Sequence, residues 1–171
     1  MSSLLEERDR PAIITRLRRL TPQHERRWGT MHAPQVVCHV SDALRVALGD
    51  LPCRRRDSLL TRTLAKWIVI ELRFPAPRGK VKTAREMLTS VPGKWEADMG
   101  ACEALIGRMA AEQPRSAHPA FGPLSPREWG SLAYQHLDHH LKQFGVKRTP
   151  RDLAPRPTRS VSSPMTTRAV N

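Results

Sequence analysis

Three histidines lie within five positions of the stretch AYQHLDHHLKQF, residues 133–144. His136 and His140 are four residues apart, so in a helix their imidazole rings project from the same face. Nitrogens at this spacing can converge on one divalent metal ion, as in helices of the H-E-x-x-H type, although the glutamate of that motif is absent here. The alternative is a pair of core histidines that hydrogen-bond to backbone or carboxylate groups.

A helical wheel places His136 and His140 on the buried side of the predicted last helix. That side is formed by Trp129, Leu132, Ala133, Leu137, Leu141 and Phe144. His139 falls at the edge of this sector, about 100° from His140. The wheel therefore predicts that His136 and His140 point inward and that His139 lies outside the set of metal ligands.

A third ligand has to come from another helix. His39 lies in the predicted second helix, near the border of its apolar stripe, where the wheel leaves its exposure open. His24, His32 and His118 lie in predicted turns, where surface or loop histidines are expected. Asp42, one turn from His39, could orient a ligand from outside the metal's own coordination shell, although the sequence favours an exposed surface carboxylate there.

Helical periodicity and end signals predict the elements that must position these histidines. Helices are expected at about Pro11–Leu20, Pro34–Leu48, Asp57–Leu72, Trp95–Glu112 and from Ser125 to Phe144, with a short helix near Ala84–Leu88. No strand is predicted. The expected fold class is therefore all-α, with four main helices and short extra helices in one domain over residues 1–148.

The helix ends are predicted from capping residues. The last helix has the strongest start signal, because Ser125 at the N-cap is followed by Pro126 and by Glu128. Gly145 is expected to end that helix. Asp9 and Asp57 are the predicted N-caps of the first and third helices.

Residues 149–171 are predicted to be a disordered basic tail. These residues are rich in Pro, Ser, Thr and Arg and show no regular spacing of apolar residues, and residues 147–171 carry six Lys or Arg and one Asp.

The whole chain has a net charge of +13, which is typical of proteins that bind nucleic acid. Because no recognition motif accompanies the charge, we expect no specific nucleic-acid binding.

Other features of the sequence exclude several classes of protein. Cys38, Cys53 and Cys102 are widely separated and odd in number, which argues against a disulfide framework and a zinc finger. No apolar run approaches the roughly 20 residues that span a bilayer, so no membrane association is expected. The N-terminal MSSLLEERDRP has no apolar segment of a secretory signal, so a cytoplasmic location is expected.

Two stretches resemble the DinB/YfiT-like superfamily. They are MHAPQVVCHVSDAL at residues 31–44 and HPAFGPLSPREWGSLAYQHLDHHLKQFGV at residues 118–146. More narrowly, they resemble an uncharacterised bacterial branch that has the same HP-x-FG-x-L and H-x-D-H-H-x-x-QFG sequence motifs. The resemblance covers about residues 10–147. It implies a four-helix bundle that carries one metal-ligating histidine on the second helix and two on the last: His39, His136 and His140.

The resemblance also implies a function. Members of the superfamily include metal-dependent thiol S-transferases and a thiol-dependent isomerase, so an enzyme that activates a small thiol or water on a divalent metal, zinc or nickel, is expected. Its partner would be a small-molecule substrate such as a low-molecular-weight thiol, and a homodimer is left open. The alternative is a non-catalytic basic helical module that binds nucleic acid or a protein partner. Asp42 and His139 are the candidates for residues that orient the ligands.

Overall fold

The computed structural model of the protein describes residues 2–72, 84–149 and 152. Within these ranges the chain forms four α-helices: α1 at Asp9–Leu17, α2 at Ala33–Leu48, α3 at Trp95–Glu112 and α4 at Pro126–Gln143. Between α2 and α3 lie two π-helical turns, Thr61–Ala65 and Trp67–Glu71, and a 3-10 turn at Arg85–Leu88. The part of the chain described here contains no β-strand, as the sequence predicts.

The two helices that carry the histidine cluster begin with reciprocal capping boxes. At the start of α4, the Ser125 hydroxyl accepts from the backbone N–H of Glu128, and the Glu128 carboxylate accepts from the N–H of Ser125. At the start of α2, His32 and Gln35 exchange the same pair of bonds. These bonds satisfy N–H groups that have no partner within the helix, and so they determine where each helix begins. The predicted cap at Ser125 is confirmed.

The predicted caps at Asp9 and Asp57 are wrong. Asp9 is the first residue of α1, which ends at Leu17 rather than Leu20, and its carboxylate accepts from the backbone N–H of Ser3. Asp57 forms ion pairs with two arginines of its own segment. The neighbouring Ser58 begins the third helical segment, because its hydroxyl accepts from the N–H of Thr61.

The third helical segment also differs from the prediction in the face that it buries. The sequence predicts one shared side for Leu60, Leu64, Trp67, Ile68 and Glu71, yet the structure exposes the first three and buries Ile70. In a π-helical turn each hydrogen bond spans five residues rather than four, so side chains rotate about the axis by less than 100° per residue. A wheel drawn for an α-helix therefore assigns the wrong face. The side chain of Glu71 lies outside the described residues.

The core lies where α2 packs against α3 and α4, and where α1 closes on α4. A charged side chain of α1 is enclosed among the apolar ones, because Arg16 is fully buried. Its guanidinium donates to the Asp138 carboxylate of α4 at 2.6 Å and to the Val146 carbonyl at 2.9 Å. Arg16 thus joins α1 to the C-terminal half of α4, the half that carries the histidines.

The predicted tail at residues 149–171 and the connection at residues 73–83 lie almost wholly outside the described residues. Thr149 and Asp152 are described, and the Asp152 carboxylate accepts from Arg19 at 2.9 Å. Among the described residues, no helix is both long enough and apolar enough to cross a membrane.

Replacing Arg16 by Met should lower the free energy of unfolding by about 3 kcal/mol, because the change removes one partner of a buried ion pair and leaves the Val146 carbonyl without its donor. Arg18→Met is the matched control. Arg18 also forms an ion pair from α1, with Glu103, but its side chain is 65% exposed, so its loss should hardly change stability. Urea denaturation of both variants measures the difference, and equal effects would contradict the assigned role of burial.

Candidate metal centre

The structure brings His39, His136 and His140 together between α2 and α4. His39 Nε2 lies 2.9 Å from His136 Nε2, which in turn lies 3.1 Å from His140 Nε2. All three ligand atoms lie within 4.8 Å of one another. The i, i+4 spacing on α4 places two of the rings on one face, and the packing of α2 against that face supplies the third.

His39 is held in one tautomer by a backbone carbonyl. The ring is buried, and its Nδ1 lies 2.9 Å from the carbonyl oxygen of Met87, in the 3-10 turn. A carbonyl only accepts, so Nδ1 of His39 carries the proton and donates it. In a neutral imidazole the other nitrogen, Nε2, then has a free lone pair.

His140 is held in the same tautomer by a side-chain amide. Its Nδ1 lies 2.8 Å from Oε1 of Gln143, one turn later on α4. The amide nitrogen of Gln143 donates to the Trp28 carbonyl at 2.7 Å, so the orientation of the amide follows from its hydrogen bonds. The Gln143 oxygen accordingly accepts from Nδ1, and Nε2 of His140 also presents a lone pair.

The cluster therefore contains more lone pairs than protons. The Nε2 atoms of His39 and His140 both face Nε2 of His136, and a neutral His136 can supply at most one hydrogen atom to them. Adding a second proton is opposed by burial, which lowers the pKa of His140 to about 3 and that of His136 well below its usual value. Burial lowers the pKa of His39 as well. A cation at the centre would satisfy all three lone pairs.

Two of the three nitrogen–nitrogen distances in the cluster approach those of a divalent-metal site. Zinc–nitrogen bonds of 2.0–2.1 Å in a tetrahedral site place neighbouring nitrogens about 3.3 Å apart. The two short nitrogen–nitrogen distances, 2.9 and 3.1 Å, are within a few tenths of an ångström of that value. Three neutral imidazoles suit Zn²⁺, Ni²⁺ and related ions, and three protein ligands leave a coordination position for a small molecule.

The two residues expected to orient the ligands occupy different places. Asp42 is not the exposed surface carboxylate favoured by the sequence, because only 1% of it is accessible. Its carboxylate accepts hydrogen bonds from Thr89, Ser90 and Arg45. His139 lies outside the three-histidine group. Its ring stands edge-on to Trp28, with 6.0 Å between centroids, and 5.3 Å from the ring of His140.

The other histidines serve local structure. His32 caps α2, and Nδ1 of His24 accepts from the Thr21 backbone N–H at 3.1 Å. His118 is half-buried, stacked on Phe121, and its Nδ1 accepts from two successive backbone N–H groups, each at 3.1 Å. Burial lowers the pKa of His118 to about 4. His24, His32 and His118 lie outside the helices, as predicted, but His118 is more buried than the surface residue that was expected.

Sequence reasoning missed the groups that hold His39 and His140 in place. Gln143 could have been found, because it lies three residues after His140 on the same helix, where side chains meet. The Met87 carbonyl could not, because every residue has a carbonyl and the connection before Trp95 contains no recognisable motif. Trp28, whose carbonyl anchors Gln143, lies in a loop distant from α4 in sequence.

Comparison with known proteins identifies a family without a known role. Residues 3–147 match the model of a family described as "Protein of unknown function (DUF1569)". The matched range contains all four α-helices and the three clustered histidines. No curated protein and no solved structure shows a significant match to the chain.

Replacing His118 by Asn should make the protein less sensitive to acid. Between pH about 6.5 and about 4 the unfolded chain binds a proton at His118 that the folded protein does not bind, so the free energy of unfolding falls as the pH falls. Asn keeps an acceptor near the position of Nδ1 but does not titrate. Urea denaturation at pH 7.5 and 5.0 should show a smaller loss of stability in the variant; equal losses would contradict the lowered pKa.

Proposed function

This chain belongs to the DUF1569 family of proteins of unknown function, and we propose that its three-histidine cluster is a divalent metal centre that activates a small thiol or water. His39, His136 and His140 would hold the metal, which we propose to be zinc or nickel. The proposal is supported above all by the convergence of three Nε2 atoms, two of which present lone pairs to the third.

The surroundings of the ligands favour an anionic fourth ligand. The partners of His39 and His140 are the carbonyl oxygens of Met87 and Gln143, neither of which carries a charge. With three neutral ligands, a divalent ion would keep its full charge, and it would lower the pKa of a thiol or water that binds it. In this proposal the chain's own groups would hold the Nε2 atoms of His39 and His140 unprotonated by binding the Nδ1 proton of each ring.

The resemblance to the DinB/YfiT-like superfamily supports the choice of a thiol. It places His39, His136 and His140 at the positions that bind metal in that superfamily, which includes thiol S-transferases. By the same resemblance, we propose that α1 to α4 correspond to its four-helix bundle. The reaction would be a transfer to or from a low-molecular-weight thiol.

Purified protein should bind one equivalent of zinc or nickel, and His136→Ala or His140→Ala should abolish this binding. Each substitution removes a ligand and leaves two nitrogens, too few for a stable site. His139→Ala is the matched control, because it removes a neighbouring imidazole of the same helix that lies outside the cluster. Metal content by elemental analysis after dialysis measures the outcome.

Removing the metal with a chelator should also lower the melting temperature, since only the folded protein brings the three nitrogens together.

Addition of a small thiol to the cobalt-substituted protein should produce a sulfur-to-cobalt absorption band, whereas a protein that activates water instead would show none. A wild-type protein that binds no metal, or a His136→Ala variant that binds it as tightly as wild type, would refute the metal centre.

A further inference from the structure

The buried carboxylate of Asp42 holds the segment that follows the 3-10 turn. Its Oδ2 accepts from the backbone N–H groups of Thr89 at 3.1 Å and Ser90 at 2.9 Å, and from the Thr89 hydroxyl at 3.2 Å. Its Oδ1 accepts from the Ser90 hydroxyl at 2.5 Å and from Arg45 at 3.0 Å. Burial raises the pKa of Asp42, but the hydrogen bonds from Ser90, Arg45 and the Thr89 hydroxyl outweigh it and lower the pKa, so the carboxylate stays ionised.

The segment anchored in this way carries the carbonyl that meets His39. Met87 lies two residues before Thr89, and its carbonyl oxygen is 2.9 Å from Nδ1 of His39. Asp42 and His39 are three residues apart on α2, so their side chains lie next to each other on one face of that helix. Asp42 binds Thr89 and Ser90, and His39 binds Met87, in the same segment. The carboxylate, the turn and the imidazole form a closed loop of contacts.

We propose that Asp42 is a positioning residue for the metal centre, acting through residues 87–90. By anchoring Thr89 and Ser90, it keeps the Met87 carbonyl against His39 Nδ1 and so maintains the tautomer in which Nε2 is free to bind a metal. Such outer contacts decide which ring nitrogen of a ligating histidine is protonated. The part of this inference that concerns metal affinity rests on the proposed function; the part that concerns the tautomer does not.

Two other roles would produce different results. Asp42 could act on His39 by its charge alone, since the carboxylate favours the protonated imidazole. It could also serve only the stability of the fold. Asp42→Asn separates charge from anchoring, because the amide oxygen still accepts from the Thr89 and Ser90 N–H groups while its NH₂ group donates to the Ser90 hydroxyl. Asp42→Ala removes both charge and anchor.

The tautomer of His39 can be measured on metal-free protein at pH 7.5. Long-range ¹H–¹⁵N NMR spectra distinguish protonated from unprotonated ring nitrogens, a property that a loss of global stability does not change in the folded molecules. Wild type and Asp42→Asn should show His39 protonated at Nδ1. Asp42→Ala should show a second population protonated at Nε2.

Metal affinity provides the second measurement. Competition with a chromophoric chelator should show that Asp42→Ala weakens zinc binding by about 10- to 100-fold, the usual effect of losing an outer contact, and that Asp42→Asn recovers most of it. Asp50→Ala is the control: it removes the exposed carboxylate that pairs with Arg108 just beyond the end of α2, and it should change neither the tautomer nor the affinity.

Thr89→Val combined with Ser90→Ala provides a milder variant if Asp42→Ala does not fold. It removes the two hydroxyl donors and should produce a smaller shift in the same direction. An unchanged tautomer in the Asp42→Ala protein, or in the double variant if that is the one that folds, would overturn the inference. Equal effects of Asp42→Asn and Asp42→Ala would do so as well, because charge would then be the cause. If wild type binds no zinc, the metal centre fails, and the tautomer alone still decides the role of Asp42.

Discussion

The hydrogen bonds donated by Nδ1 of His39 and His140 are the constraint on which the site depends. Each bond ends on an oxygen that can only accept. The proton of each ring is therefore on Nδ1, and Nε2 of each ring points its lone pair toward the cluster. Three nitrogens then meet with at most one hydrogen atom among them. Lone pairs without a hydrogen atom or a cation to bind are unfavourable beside a buried ring such as His39. A second proton is opposed by desolvation, which lowers the pKa of His136 and of His140.

Segments outside the helices provide much of the support for these bonds. The 3-10 turn supplies the Met87 carbonyl, and the loop before α2 supplies the Trp28 carbonyl that orients Gln143. Both segments are tied to the helices by buried polar groups rather than by apolar packing alone. Arg16 belongs to the same pattern, since its guanidinium joins α1 to the half of α4 that carries two of the clustered histidines. The helices thus position the rings, while the 3-10 turn fixes the tautomer of His39 and Gln143, held by the loop before α2, fixes that of His140.

The helix ends show how far local signals extend. The start of α4 at Ser125 and the bounds of α3 were predictable, because caps and apolar spacing act within a few residues of each other. The caps at Asp9 and Asp57 were not, because a carboxylate can equally accept from a neighbouring loop or pair with arginine. The prediction of which face the segment around Trp67 buries was also wrong, because π-helical winding has no clear signature in the sequence.

The sequence alone determined that His136 and His140 share the inner face of a helix, because their spacing and the apolar residues around them follow the helical period. It left the exposure of His39 open, and it placed Asp42 on the surface, where the structure buries it. Only the tertiary structure decided that the three rings meet and which nitrogens are free. That result depends on the packing of α2 against α4 and on carbonyl groups from distant loops, and backbone carbonyls carry no mark in the sequence that could identify them.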